Sequence, residues 1–264
     1  MKVLVTVKEV AELEEEFEVE SGTIPDRYLS YDLNEWDDYA IEEAVRTGER
    51  LGGVEVVAVT IGPARTEETI RIALAKGVDR AVRVWDDALE DATYVDVETR
   101  TSLLSKIVER ESPDLVFTGV QSGDQANAAT GVALAAKVDF AWAAVVNDLD
   151  LRVDDGEASI RRELEGGVEE LTDVELPAVL TIQSGINEPR YASLRGMQQA
   201  QRKPMEVLTF EDVGLDESLV ESPIERITTY EPESEADTQI WEGSSEETAH
   251  ALAEFLRDEG VVEA

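Results

Sequence analysis

Gly119-Val-Gln-Ser-Gly-Asp124 stands between a short apolar β-type run (residues 115–118) and small residues at helical spacing, Ala126, Ala129, Ala133 and Ala136. Strand, polar glycine-bearing loop and helix, in that order, put the loop at the carboxyl edge of a parallel sheet, where ligands bind. The free N–H groups of a helix start suit phosphate. An ordinary βα turn uses the same residues, so the ligand has to be argued from what stands nearby. Two other loops converge on this one in such a sheet: Thr6-Val7-Lys8 after the first strand, joined to a helix start at Asn34-Glu-Trp-Asp37, and Ile61-Gly62 after the second. Backbone groups of the strand ends then read an adenine edge, and Asn34 or Asp37 holds ribose hydroxyls. Gly119, Gly123, the amides of Asp124, Gln125, Ala126 and Asn127, and the Thr130 hydroxyl hold phosphate. Asn34 and Asp124 equally suit helix caps. A carboxylate facing phosphate is repelled, so a ribose hydroxyl or a backbone N–H is the ligand chemistry open to Asp124.

Other chemistry is excluded by what the chain lacks. It has no cysteine and one histidine, His250, in an expected surface helix near the C-terminus. Disulfides, thiolate catalysis and cysteine metal sites are out, and a histidine triad or zinc site has nothing to build on. No GxGxxG follows the first strand and no Gly-Lys-Ser/Thr P-loop occurs anywhere. Lys+Arg number 23 and Asp+Glu 60, a net charge of −37. Such a surface repels nucleic acid and anionic headgroups. The acids are spread along the whole chain, as in proteins adapted to molar salt, and self-repulsion makes stability depend on screening. No apolar run approaches the roughly 20 residues of a membrane helix. The opening MKVLVTVKEV reads as a strand with no cleavable signal. A soluble, cytoplasmic protein without membrane insertion is expected.

The elements that position these residues alternate. Strands are expected at 2–7, 54–61, 80–85, 115–118, 140–146 and 176–183. Helices are expected from Asn34 to the Gly52-Gly53 stop, from Thr66 to Gly77 and over 97–110. This is an α/β fold with a parallel sheet. A hairpin is signalled at Ser21-Gly22, and an antiparallel ribbon over 149–175 with its turn at Asp154-Asp-Gly156. Residues 1–207 form the nucleotide-binding domain. From Phe210 on, the sequence turns acidic and core-poor, so 208–264 reads as an acidic arm. It ends in an amphipathic helix over 246–257, which packs on the core or on a partner.

A second constellation is residues 176–204, LPAVLTIQSGINEPRYASLRGMQQAQRKP. Its loop is fixed by Pro189 and by Arg190, which needs a carboxylate or carbonyl partner. It presents Leu194 and Met197, either as a structural corner or as a docking surface.

Residues 176–191 closely resemble the signature of the beta subunit of electron transfer flavoprotein, the FixA family. The likeness continues through Val5-Thr-Val-Lys8, Asn34 with Ala40-Ile-Glu-Glu-Ala-Val-Arg46, Gly62-Pro63 with Glu68-Thr-Ile-Arg71, Gly77-Val-Asp79-Arg80, and the loop with Gly119, Gln121, Asp124, Thr130 and Gly131. The resemblance implies an adenine-nucleotide-binding α/β fold of the HUP/ETF type, paired with an alpha subunit that carries most contacts to a shared FAD. It implies AMP, or in a bifurcating branch a second FAD, in the beta subunit. The positions it assigns are Thr6, Asn34, Asp37, Ile61, Gly119, Gln121, Ser122, Gly123, Asp124, Gln125, Ala126, Asn127 and Thr130. It implies an electron carrier rather than an enzyme, with no catalytic residue and no metal. Electrons are received from an acyl-CoA or other dehydrogenase docked at Leu194 and Met197, and are passed to a quinone oxidoreductase. Departures from the family pattern at Val120, Asp37, Gly123-Asp124-Gln125-Ala126 and Gln198-Gln199 tilt the ligand towards a second FAD, with AMP still in contention. A stand-alone adenine-nucleotide sensor of the universal-stress type shares the architecture, but its glycine-rich phosphate motif is missing and it has no use for residues 176–204. A PP-loop pyrophosphatase needs a Ser-Gly-Gly-x-Asp-Ser loop after the first strand, and none is present.

Overall fold

The computed structural model describes residues 1–92, 94–232 and 239–262, in two compact units, Met1–Thr229 and Tyr230–Ala264. Part of the acidic run at 231–235 and the last two residues of the expected arm lie outside the described residues.

The larger unit runs β1 (Lys2–Thr6), β2 (Glu9–Leu13), β3 (Leu29–Leu33), α1 (Glu35–Leu51), β4 (Glu55–Ile61), α2 (Thr66–Lys76), β5 (Arg80–Val84), α3 (Asp87–Asp91), α4 (Val97–Glu111), β6 (Leu115–Gly119), α5 (Thr130–Val138), β7 (Ala141–Arg152), β8 (Glu157–Leu164), β9 (Val168–Glu175), β10 (Ala178–Ile182), α6 (Leu194–Ala200) and β11 (Met205–Leu208). One sheet has the order β11-β5-β4-β1-β6-β10-β7-β8-β9. It is parallel from β11 to β7 and antiparallel from there to β9. β2 and β3 pair apart from it as an antiparallel ribbon.

The strand period of two sorts the core to both faces of the sheet. On β1, Val3 and Val5 pack with Ala40, Ile41 and Ala44 of α1 and Ile70 and Leu74 of α2. Leu4 points the other way, to Leu103, Leu104 and Ile107 of α4 and Leu134 of α5. The chain builds outward from β1 through β4 to β5, then returns to lay β6 against the other side of β1. The strand order therefore reverses at β1/β6, and a crevice opens outside the carboxyl ends there.

The expected elements are present, with three instructive differences. The ribbon over 149–175 is a continuation of the main sheet, because β7 runs unbroken from its parallel half into its antiparallel half. The expected boundary at 207/208 falls inside the edge of the sheet. β11 pairs with β5, Phe210 is buried, and Val213, Leu215, Leu219 and Val220 pack beside it, so the larger unit extends to Thr229. These apolar residues hang on short 3-10 turns and follow no period that a sequence reading detects. Finally, the helix expected from Ala126 begins only at Thr130. Ala126 and Ala128 both have φ of 49°, a left-handed conformation that ends any helix containing them. In the smaller unit, α7 (Ser245–Asp258) opens with a capping box between Ser244 and Glu247, and the Trp241 and Phe255 rings meet at a tilt of 59° with centroids 5.4 Å apart.

At the amino edge of the sheet Glu111, almost fully buried, receives Lys2 Nζ at 2.9 Å and Arg80 Nη1 at 3.0 Å. Arg80, and then Lys2, hold its carboxyl down at about 2, below its ordinary 4.5. A depressed carboxyl stabilises the fold above pH 4.5 and loses that contribution as pH falls towards 2. Glu111→Gln is expected to cost about 2 kcal/mol at neutral pH. The gap between variant and parent in urea unfolding at fixed high salt should close over that same acid interval; a gap independent of pH would contradict the ion-pair role.

Candidate functional site

Asp37 is the centre of the crevice. It stands in the first turn of α1 and is buried, with one carboxyl oxygen receiving the Lys8 N–H at 2.8 Å and the other the Gly119 N–H at 3.0 Å. One side chain thereby ties the carboxyl ends of β1 and β6 to the start of the helix that crosses them. Burial raises the Asp37 carboxyl to about 7, against the pull of these donors. The approach is so close that a Cβ on Gly119 would lie 2.6 Å from Asp37 Oδ1 and 2.7 Å from Trp36 Cβ, which only glycine avoids.

Asn34 occupies the N-cap position of α1, but its side chain makes no capping bond. It reaches across instead. Nδ2 donates to the Gln121 carbonyl at 2.9 Å, and Oδ1 accepts from the Gly123 N–H at 3.3 Å. The Gly119-bearing loop is therefore pinned by side chains from the start of α1. Within the loop, the Ala126 N–H is spent on the Ser122 carbonyl at 2.8 Å.

These contacts frame a cavity of about 240 Å³. Of the residues singled out from sequence, Thr6, Asn34, Asp37, Ile61, Gly119, Gln121, Ser122, Asn127 and Thr130 line it. Gly123, Asp124, Gln125 and Ala126 belong to the loop but not to the lining. Asp124 neither caps a helix nor faces the cavity; its carboxylate pairs with the Lys8 ammonium at 2.6 Å. The structure also brings in residues that sequence reasoning did not assign. Trp85, Leu89, Val95 and Leu104 add an apolar wall, and Arg100 adds a guanidinium. They follow β5, whose carboxyl end opens on the same crevice as those of β1, β4 and β6. For Trp85, Leu89 and Val95 the signal was present, since β5 is a further parallel strand and contributes a fourth edge loop; Arg100, on α4, gave none.

Lys8 and Arg100 are the cations of the site. Lys8 Nζ donates to Asp124, to Ser122 Oγ at 3.0 Å and to Gln125 Oε1 at 3.4 Å. Arg100 Nη2 donates to the Val95 carbonyl and to the same Gln125 oxygen. Burial lowers the pKa of both, which is the mark of charge held away from water.

The loop after β10 lies elsewhere. Arg190 is clamped by two acids of α1: Nε to Glu42 at 2.8 Å, Nη1 to Glu49 at 2.6 Å, and Nη2 to both at 3.0 and 2.9 Å. Asn187 Nδ2 donates to the Tyr39 carbonyl and to Glu43. Gly196 of α6 sits against the Ala75 carbonyl, where a Cβ would come within 2.4 Å. A segment fixed this firmly leaves Leu194 87% and Tyr191 97% exposed, with Met197 partly so.

The family model "Electron transfer flavoprotein domain" matches residues 22–213. The electron transfer flavoprotein subunit beta of Methylophilus methylotrophus is 46% identical over 264 residues, 98% of each chain. That of Bacillus subtilis is 33% identical over 264 residues, covering 99% of this chain and all of the relative. The human subunit is 35% identical over 219 residues, 82% of this chain and 84% of its own.

Asp37→Asn replaces one acceptor oxygen with an N–H donor facing the Lys8 or Gly119 amide. The expected cost is about 2 kcal/mol in chemical unfolding, the scale of a buried group left without its partner. An unchanged unfolding midpoint would remove Asp37 from its place as the tie between β1 and β6.

Proposed function

We propose that this chain, which belongs to the electron transfer flavoprotein family, is the beta subunit of a heterodimer with an alpha subunit and holds an adenine nucleotide at the β1/β6 switch point. The observation that carries this reading is the meeting of two partly buried cations, Lys8 and Arg100, with the Gly119-bearing loop over an apolar-walled cavity. The lining suits such a ligand. Val59, Ile61, Leu89 and Leu104 offer an apolar seat for a base, Thr6, Gln121 and Thr130 offer hydroxyl and amide groups to a ribose, and the cations attract phosphate. AMP and the ADP part of a second FAD share this chemistry.

Flavin, when bound, supplies the redox chemistry of the heterodimer. The residues of this chain bind and orient, and none is required to transfer a proton. Among the described residues no helix is long and apolar enough to cross a membrane, so electrons pass to and from the heterodimer by docking. The dehydrogenase side is the rigid loop carrying Leu194 and Met197, with a quinone oxidoreductase as acceptor. An exposed leucine on a fixed frame is the geometry of an interface anchor. The apolar stripe of α7, with Leu252, Ala253 and Leu256, is offered to the alpha subunit.

The test is to co-express the chain with its alpha subunit in high salt and count the cofactors released by denaturation. One FAD and one AMP per heterodimer make it a simple carrier, two FADs a bifurcating one. A monomer that binds ATP and no flavoprotein partner would sink the reading in favour of a stand-alone sensor. For the docking loop, Leu194→Ala is expected to slow electron transfer from the dehydrogenase at least about tenfold, the loss of an interface anchor, with cofactor content intact. Loss of flavin in that variant would contradict the docking role.

A further inference from the structure

The cations of the cavity are served unequally. Lys8 has a carboxylate partner, Asp124, at 2.6 Å. Arg100, in contact with the Val95 carbonyl and the Gln125 carboxamide, has only neutral acceptors among its hydrogen bonds. Both cations converge on one oxygen, Gln125 Oε1, from 3.4 and 2.5 Å. Two positive groups drawn to one uncharged oxygen repel each other. The other carboxyl at hand, Asp37, has its oxygens committed to the Lys8 and Gly119 backbone amides. Among their hydrogen bonds the two partly buried cations have one carboxylate, Asp124, while Asp96 acts on Arg100 and Asp37 on Lys8 only at longer range. Among the described residues no second carboxylate hydrogen-bonds either cation, and the general surplus of acid on the chain does not change that.

The fold also sets how tightly Asp124 is held. The loop is pinned through Gln121 and Gly123 to Asn34, one residue short of Asp124. Beyond it the backbone enters the left-handed turn at Ala126. Asp124 is joined to the site by its side chain, through the Lys8 ammonium. A rotation of that side chain frees the ammonium without disturbing the pinned backbone.

We propose that Lys8 and Arg100 form a two-cation phosphate clamp at this cavity, and that Asp124 is a stand-in anion which the ligand's phosphate displaces from Lys8. The inference rests on the adenine-nucleotide reading of the cavity and adds to it which side chains take the phosphate and which one opposes it. Ser122 Oγ, 3.0 Å from the Lys8 ammonium, holds the lysine in place through the exchange. Gln125 Oε1 stands between the two cations and accepts from both. Asp124 thereby sets the affinity: it keeps Lys8 paired when the cavity is empty and competes with an arriving phosphate. A nucleoside without phosphate does not feel this competition.

The experiment uses the heterodimer with its alpha subunit, stripped of nucleotide and kept in molar potassium chloride. Binding of AMP and of adenosine is measured by calorimetry for the parent and for Asp124→Asn, Lys8→Gln and Arg100→Gln. Buried charge is screened less by salt than exposed charge, so the effect survives these conditions. Asp124→Asn is expected to tighten AMP about threefold to tenfold, and Lys8→Gln and Arg100→Gln to weaken it about tenfold or more, the scale of a charge-assisted hydrogen bond. Adenosine affinity stays within about twofold throughout. An Asp124→Asn protein that binds AMP no better than the parent, or loses AMP and adenosine alike, overturns the stand-in role. Unchanged AMP affinity in Lys8→Gln or Arg100→Gln overturns the clamp. A parent heterodimer that binds neither AMP nor adenosine defeats the nucleotide reading itself, a result separate from both. Unfolding midpoints of the variants distinguish a lost site from a lost fold.

Discussion

Everything at the carboxyl edge depends on one carboxyl group that accepts two backbone amides. The N–H groups of Lys8 and Gly119 follow or end strands and have no ladder partner where the sheet opens. Asp37 satisfies both from the first turn of α1. Buried amides without acceptors are costly, and a single acid at the right height on a helix removes two such costs together. The close approach then dictates its neighbours. Position 119 has to be glycine because any Cβ would strike Asp37 and Trp36. Asn34, three residues earlier, is brought level with the loop and bonds it. Lys8 leaves β1 with its backbone fixed and its ammonium directed to Ser122 and Asp124.

Charge is the second constraint. With 60 acids against 23 bases, a cation with a specific place is scarce. The structure spends its cations where they join separate elements. Lys2 and Arg80 gather on Glu111 at the amino edge. Arg161 and Arg162 bridge β8 to Glu169 and Glu170 of β9. Arg190 fastens its loop to α1. Lys8 and Arg100 differ in lining the cavity, where their hydrogen bonds reach one carboxylate and otherwise neutral acceptors. Acids in such excess carry little positional information, whereas the few placed cations carry most of it.

The scaffold was legible because its signals are local and periodic. β1 alternates between two faces, α1 and α2 carry apolar stripes ended by Gly52 and Gly77, and the apolar face over 246–257 announces α7. The three converging loops followed from strand order, and most of the named residues line the cavity. What escaped was whatever depends on tertiary distance. Asn34 looks like a cap in sequence, yet its side chain has a better use across the crevice. The alanines at 126 and 129 have helical spacing, but spacing does not reveal left-handed backbone at 126 and 128. Arg100 is one polar residue on a helix with an obvious apolar face, and only the packing of α4 directs it to the mouth of the cavity. Phe210 and the apolar residues after it have no period because 3-10 turns and irregular chain impose none.

Helix α1 is what makes these parts one device. Its first turn holds Asp37 and is preceded by Asn34, both committed to the cavity. One turn on, the Tyr39 carbonyl and Glu43 receive Asn187. Glu42 and Glu49, seven residues apart and so on one side of the helix, take the two edges of Arg190. The crevice and the exposed loop with Leu194 thus hang on the same rigid rod. On the function proposed above, a chain that binds and docks and leaves the redox chemistry to a flavin has to keep ligand and partner at a fixed separation. The side chains described at the crevice and on the loop are used for position, and position is what an electron carrier draws from this subunit.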